Sequence, residues 1–278
     1  MGRKNQVESR QKRILELLEQ NEEVSLGFLC KELSCSETTT RNDLRILEQH
    51  GMLRRTFGGA IRTDETPTLW LNISVREHEH IAEKRDIARY VVDHLLRPGM
   101  TIVLDAGTTC AVLAQEIAKK RLKLRVLTNS FHAAVALAPA LDVVELYMIG
   151  GMYNPVSGSL YDEFQLEVIE QLRADLFFMG TDAVSVTNGF TIMGLSGLSE
   201  CTVKRGILNL SRKTYVLADH SKFGRTTMKL VCSVDSVDGV ITDAGVNKLM
   251  AEDLQNHNVP VIVAGKTRKT SEETDDEL

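Results

Sequence analysis

Between residues 98 and 263 short apolar runs alternate with stretches of helical spacing, and this limits the fold more than any other feature of the chain. The runs are Thr101–Leu104, Leu124–Leu127, Val143–Ile149, Leu176–Met179, Tyr215–Ala218, Val237–Ile241 and Val259–Val263. Helical segments separate most of them: Cys110–Lys119, Phe131–Ala138, Phe164–Leu172 and Ser199–Leu210. Strands that alternate with helices pack as a mostly parallel sheet covered on both faces, so this part of the chain is predicted to be α/β. Upstream, Ser74–Leu96 reads as one long amphipathic helix with Ile81, Ile87, Val91, Val92 and Leu95 on its apolar side. His78 and His80 stand two apart, so on a helix they point to different faces. A solvated face is expected there and no metal site.

The first 62 residues have a different texture. Ile14, Leu15, Leu17 and Leu18 make a helical stripe within Arg10–Gln20. Ser25 is placed to cap a second helix, with Phe28, Leu29 and Leu33 inward. After the Ser34-Cys35 turn, Ser36 caps a third helix that ends at His50-Gly51. Leu44 and Leu47 face inward there, and Glu37, Thr38, Thr40, Arg41 and Arg45 outward. Met52–Arg55 and Ala60–Arg62 flank Gly58-Gly59 as a hairpin. Three helices and a hairpin in this length describe a winged helix-turn-helix. Hydroxyls and guanidiniums on the third helix suit base edges and phosphates in a major groove. Arg54, Arg55 and Arg62 suit the flanking backbone or the minor groove. On pattern alone, a small helical bundle that binds protein is the alternative.

Charge follows the same division. Residues 1–62 hold 11 Lys and Arg against 9 Asp and Glu, a net of +2, while the remainder holds 22 against 29, a net of −7. The five cysteines are scattered and form no C-x-x-C pair, so free thiols are expected. No run of about 18 apolar residues occurs and the N-terminus lacks a signal peptide's apolar core. A cytoplasmic location is the expectation. The expected organisation is a DNA-binding domain over 6–62, a linker over 63–73 in which Trp70 packs against the second domain, an α/β domain over 74–265, and a disordered acidic tail over 266–278.

In open α/β sheets ligands sit beyond the carboxyl ends of the strands. The first such end is Asp105-Ala106-Gly107-Thr108-Thr109, where a glycine, two hydroxyls and a helix start form a phosphate cradle, an ordinary strand-to-helix turn being the alternative. It is neither a Walker loop nor a G-x-G-x-x-G fingerprint, so ATP and NAD are not indicated and no cofactor is expected. Thr128-Asn129-Ser130, Gly150-Gly151, Gly180-Thr181-Asp182 and Asp219-His220-Ser221-Lys222 are the next ends. Lys222 offers a cation, and Asp105, Asp182 and Asp219 can accept hydroxyl hydrogens. Glu200 and Lys204, at i, i+4, are either a surface pair or a carboxylate and ammonium facing the crevice. Together these groups suit a small phosphorylated sugar or polyol.

These residues resemble those of the DeoR-type bacterial transcription regulators. Ser36-Glu37-Thr38-Thr39-Thr40-Arg41-Asn42-Asp43-Leu44 resembles the family's recognition segment S-x-x-T-[IV]-R-x-D-L. Leu47-Glu48-Gln49-His50-Gly51 and Arg55-Thr56-Phe57-Gly58-Gly59-Ala60 resemble L-E-x-x-G and R-x-[YH]-G-G-A. Downstream, Asp105–Thr109 resembles D-x-G-[ST]-T, and the other strand ends, Glu200 with Lys204, Ala218–Gly224 and Ile241-Thr242-Asp243 follow in family order, over residues 8–265 in all. Thr40 departs from the usual Ile or Val, Cys35 from the common Val, and Met193–Leu198 is less typical.

The resemblance implies a repressor that joins a winged helix-turn-helix to a sugar-phosphate-binding domain related to ribose-phosphate isomerases, working as a dimer or tetramer on operator DNA. DNA would be met by Ser36, Thr38, Thr39, Thr40, Arg41, Asn42, Arg45, Arg54 and Arg55. The effector would be met by Asp105, Gly107, Thr108, Thr109, Thr128, Asn129, Glu200, Lys204, Asp219 and Lys222. Two alternatives stand beside it. One is a sugar-phosphate isomerase with Glu200 as base. The other is an architectural DNA binder, which the acidity of the whole chain disfavours.

Overall fold

The computed structural model describes residues 7, 10–11, 13–18, 21, 23–49, 53–56, 58–61, 73–155, 157–161, 169–193 and 199–265. They fall into two compact units, divided between His78 and Glu79. Outside the described residues lie Arg62, nearly all of the expected linker with Trp70, most of Phe164–Leu172 and of Met193–Leu198, and the acidic tail.

The first unit opens with a helix described over residues 13–18 (α1). Strand β1 (Glu23–Ser25), helices α2 (Leu26–Glu32) and α3 (Glu37–Gln49), strands β2 (Arg54–Thr56) and β3 (Gly59–Ile61) and a short helix α4 (Ile73–Arg76) follow. Both predicted caps are present: Ser25 Oγ accepts from Phe28 N at 3.2 Å and Ser36 Oγ from Thr39 N at 3.3 Å. β3 pairs antiparallel with β2 as expected, and also with β1, so the hairpin is part of a three-stranded sheet. Ile14, Leu17, Leu18, Leu29, Leu44 and Leu47 form the core with Val24, Leu53 and Ala60. Two expectations fail here. Phe28 is 42% exposed: α2 begins at Leu26, so Leu26 and Leu29 take the inner face. Thr40 is fully buried rather than outward, because its hydroxyl finds partners inside: it donates to Ser36 O at 3.2 Å and lies against the thiols of Cys30 and Cys35.

The second unit runs α5 (Ile81–His94), β4 (Thr101–Leu104), α6 (Thr108–Lys120), β5 (Leu124–Thr128), α7 (Phe131–Leu137), β6 (Val144–Met148), β7 (Met152–Asn154), β8 (Ser159–Tyr161), β9 (Ala174–Gly180), β10 (Ala183–Ser185), β11 (Gly189–Ile192), α8 (Ser199–Leu210), β12 (Ser211–Leu217), β13 (Lys229–Cys232), β14 (Gly239–Thr242), α9 (Lys248–Asn256) and β15 (Val261–Val263). The seven apolar runs are the seven strands of one sheet, in the order β15-β14-β12-β9-β4-β5-β6, and every pairing in it is parallel. Alternation along the strands divides the core. Ile102, Leu104 and Phe178 pack under α5, α6 and α7; Val103, Phe177, Met179 and Val216 pack against Val203, Ile207 and Leu210 of α8. Val184, Phe190 and Val231 of a small antiparallel sheet, β10-β11-β13, cover the same second face. From β4 the chain moves outward to β5 and β6; from β9 it moves the other way, to β12, β14 and β15. The direction therefore reverses between β4 and β9, where such sheets open a crevice.

The predicted helix Ser74–Leu96 is interrupted. α4 and α5 are separate, and His80 between them is left-handed, with φ 49° and ψ 38°. Among the described residues no helix is long and apolar enough to cross a membrane.

Candidate functional site

The first unit presents its polar residues from α3 and the hairpin. Ser36, Thr38, Arg41, Asn42, Arg45, Arg54 and Arg55 are exposed and Thr39 is half-buried. Arg41 donates to Glu37 Oε1 from Nε at 2.9 Å and Nη2 at 2.7 Å. An exposed pair of this kind is worth at most about 1 kcal/mol, so it is readily exchanged for a phosphate or base. Arg45 Nη2 donates to Asn42 Oδ1 at 3.0 Å. Arg55 is engaged in the fold: its backbone N–H (2.8 Å) and Nε (2.5 Å) both reach Glu48, which ties β2 to α3 and holds the Glu48 carboxyl below its usual range. Sequence reasoning missed Asp43. It is buried and accepts from Arg10 Nε at 2.8 Å, which fixes α3 against the first helical segment and raises the Arg10 guanidinium above its ordinary value. The R-x-D spacing was the available signal. Arg41→Ala is expected to abolish specific operator binding in gel-shift titrations while the thermal response to ligand stays intact. Loss of both responses would mean a misfolded chain and sink this assignment.

In the second unit the predicted residues gather at the carboxyl edge of the sheet and do different work. Asp105, at the end of β4, is fully buried and accepts from Ala106 N at 2.9 Å and Gly180 N at 2.8 Å. Its third partner is the Lys204 ammonium, 2% exposed, which reaches in from α8. Lys204 is thus no surface partner of Glu200. Burial alone would lower the Lys204 pKa, but the Asp105 and Glu200 carboxylates raise it above the ordinary lysine value. Thr128 is also committed: its hydroxyl donates to Leu104 O at 2.6 Å and accepts from Ser130 N at 3.0 Å, binding the end of β5 to that of β4. Gly107 precedes α6, close to Gly180, and Thr108 and Thr109 form the first turn, whose N–H groups the helix itself leaves unused.

Other polar atoms at these ends are unspent. Asn129 Oδ1, Asp219 Oδ2 and Thr242 Oγ1 are buried, with no hydrogen-bond partner among the described residues. They follow or end β5, β12 and β14, and a buried polar atom left this way costs about 1–3 kcal/mol unless something meets it. Asp219 Oδ1 is occupied by Ser221, from N at 3.0 Å and Oγ at 2.5 Å. Burial would raise the Asp219 pKa, but Lys222 and the Ser221 hydroxyl hold it below the usual carboxylate value. Lys222 is half-buried. Sequence reasoning missed three neighbours. Thr242 stands inside the Ile241-Thr242-Asp243 motif, which by itself assigns it no role. Glu79 is pushed up by burial, against the pull of Lys222 and Lys84. Lys84 is buried and donates to Glu79 O at 2.6 Å. Asp182 accepts from Met193 N at 3.0 Å.

Comparison with known proteins accounts for both units. Residues 10–66 match the DeoR-like helix-turn-helix domain and residues 79–244 the DeoR C terminal sensor domain. The chain belongs to the DeoR family of transcriptional regulators. Among DeoR-family relatives, the HTH-type transcriptional regulator GolR of Listeria innocua is 31% identical over 92% of this chain and 98% of its own. The glycerol-3-phosphate regulon repressor of Escherichia coli K12 is 31% identical over 88% of this chain and 94% of its own. Among solved structures, ribose 5-phosphate isomerase A of Methanocaldococcus jannaschii aligns over 50% of this chain and 53% of that one, at 24% identity and a TM-score of 0.36. The first unit accordingly carries the family's helix-turn-helix domain, and the unit built on the seven-stranded sheet carries its sensor domain.

Proposed function

We propose that this DeoR-family regulator represses an operon of carbohydrate or polyol catabolism in the cytoplasm, and that a phosphorylated sugar or polyol held at the carboxyl ends of β4, β5 and β12 controls it. The observation that carries the sensing half is the set of unpartnered buried atoms, Asn129 Oδ1, Asp219 Oδ2 and Thr242 Oγ1. Two of the three can only accept, as the hydroxyls of a polyol require. The first turn of α6 and the Lys222 ammonium supply the anion-binding partners. In this reading Asp105, Thr128 and Lys204 shape the floor, while Gly107, Thr108, Thr109, Asn129, Glu200, Asp219 and Lys222 meet the ligand. In this reading DNA binding rests on 6–62 and sensing on 74–265. The relatives named as repressors, one of them of a glycerol-3-phosphate regulon, support the same reading. The isomerase alternative is the weaker, since the relatives carry regulators' names.

Two half-sites need two recognition helices, so the regulator acts as a homo-oligomer. The sheet edge supports this: β6 is a terminal strand, and Tyr147, Met148, Met152, Tyr153 and Phe131 expose large apolar surfaces on and near it. Effector binding shifts the regulator toward a state in which both helices cannot dock, by no more than its differential affinity for the two states, about 1–3 kcal/mol per site.

The test is thermal unfolding against phosphorylated sugars, polyols and sugar acids, with their unphosphorylated forms beside them. A ligand at 100 times its Kd stabilises by about 2.7 kcal/mol. The expected result is a shift with phosphorylated compounds alone, lost in Lys222→Ala. Equal shifts by the unphosphorylated forms, or none across the panel, would overturn the phosphate reading.

A further inference from the structure

The break between α4 and α5 has a counterpart across the sensor unit. His80, left-handed at the start of α5, turns its ring toward His220, and the two rings meet edge to face with centroids 4.9 Å apart. Glu83 stands one turn into α5, three residues from His80 and so on the same side of the helix. One ligand atom from each of His80, Glu83 and His220 lies within 4.8 Å of the others, and all three residues are half-buried.

The arrangement of His220 goes beyond proximity. Its Nδ1 is 2.9 Å from Asp243 Oδ2, which leaves Nε2 as the ring nitrogen turned away from that bond. Asp243 is buried and held in place: it also accepts from His220 N at 2.7 Å and from Gly245 N at 2.8 Å. A carboxylate that fixes a histidine's tautomer and orientation through the far ring nitrogen is the standard outer support of a metal-binding imidazole. Packing secures the loop further, for a Cβ on Gly245 would fall 2.8 Å from His220 Nδ1 and 2.9 Å from Asp243 Oδ2.

We propose that His80, Glu83 and His220 form a site for a divalent first-row transition metal of the Zn2+ class, with Asp243 as the positioning residue behind His220. Two imidazoles and one carboxylate are a borderline donor set that suits Zn2+ and its neighbours, whereas Mg2+ and Ca2+ take oxygen ligands. Tetrahedral ligation with bonds of about 2.0–2.2 Å puts ligand atoms about 3.3 Å apart, so modest side-chain rotations close the site. Three protein ligands leave a fourth position open. His220 directly follows Asp219, whose Oδ2 is unpartnered, so the three ligands stand next to the proposed effector crevice. The site is a separate proposal from the effector's identity and stands or falls without it.

The full-length chain, purified in chelator and titrated with Co2+, provides the test. One equivalent is expected to give an intense visible d–d spectrum of four-coordinate type, displaced by Zn2+ and unaffected by Mg2+. His80→Ala and His220→Ala are expected to abolish it, and Asp243→Asn to weaken binding by about 10–100-fold. Melting of each variant without metal confirms that it is folded. His80→Gln, which keeps a polar side chain at the helix start, replaces His80→Ala if that variant is unstable. A spectrum that survives in the His80→Ala, His220→Ala double variant overturns the proposal, as does a thiolate charge-transfer band, which would put the metal on cysteine.

Discussion

Replacing Lys204 by methionine is expected to cost the sensor unit about 3–5 kcal/mol of stability, because it leaves Asp105 as a buried charge without its cation. Asp105 is 0% exposed, so solvent cannot take over. The N–H groups of Ala106 and Gly180 remain on the carboxylate, which argues for the lower end of that range. The loss should appear in urea unfolding as a lower midpoint with an unchanged slope. Neutralising the partner as well, in Asp105→Asn, Lys204→Met, should restore part of it, since replacing a whole buried pair is far milder than halving one. A Lys204→Met chain with the parent's midpoint and no response to phosphorylated compounds would place the ammonium on the ligand instead.

That pair also marks where sequence reading reaches its limit. The seven strands of the main sheet were legible because a parallel strand buried on both faces reads as a continuous apolar run; Phe177, Phe178 and Met179 of β9 are all fully buried. The strands β10, β11 and β13 were not legible. They are three or four residues long, β13 begins with a lysine, and long-range pairing sets their register. α9 escaped notice because it buries Leu254 and leaves Leu249 and Met250 exposed, which is too weak a stripe to see. The interruption at His80 had no Gly or Pro to announce it, and the apolar pattern runs on across it. At the sites the sequence supplied residue types and their order along the chain, but not their partners. Glu200 and Lys204 sit at i, i+4, a spacing that suits a surface pair and a pair turned to the crevice alike; the fold sends Lys204 inward to a residue 99 positions away. At Thr40 the reading was wrong outright. A hydroxyl on a recognition helix suggests DNA, yet Ser36 O and two thiols meet this one inside.

The second large effect is expected in the DNA-binding unit from one added methyl group. Gly59 lies in β3 between β1 and β2, and a Cβ built on it would fall 2.0 Å from Val24 O and 2.8 Å from Ser25 Cα. Both are backbone atoms, so no side-chain rotation relieves the clash. The same strand junction is clamped by Leu26 N donating to Gly58 O at 2.7 Å and by the β1–β3 register of Val24 with Ala60. Gly59→Ala must therefore push β1 off β3, and overpacking of this kind costs about 3 kcal/mol. A unit of roughly 60 residues holds only about 3–9 kcal/mol in total, so the change removes a large share of it. Ile14, Leu29, Leu44 and Leu47 share one core with Val24 and Ala60, so loosening the strands also loosens the seat of α3. Operator affinity is expected to fall more than 100-fold in gel-shift titrations. The ligand-induced thermal shift of the sensor unit should stay at the parent's value. Gly58→Ala is the control, since a Cβ there meets nothing within 4 Å, and it should bind as the parent does. Equal behaviour of the two variants would mean that the wing is not packed on β1 in the DNA-binding state.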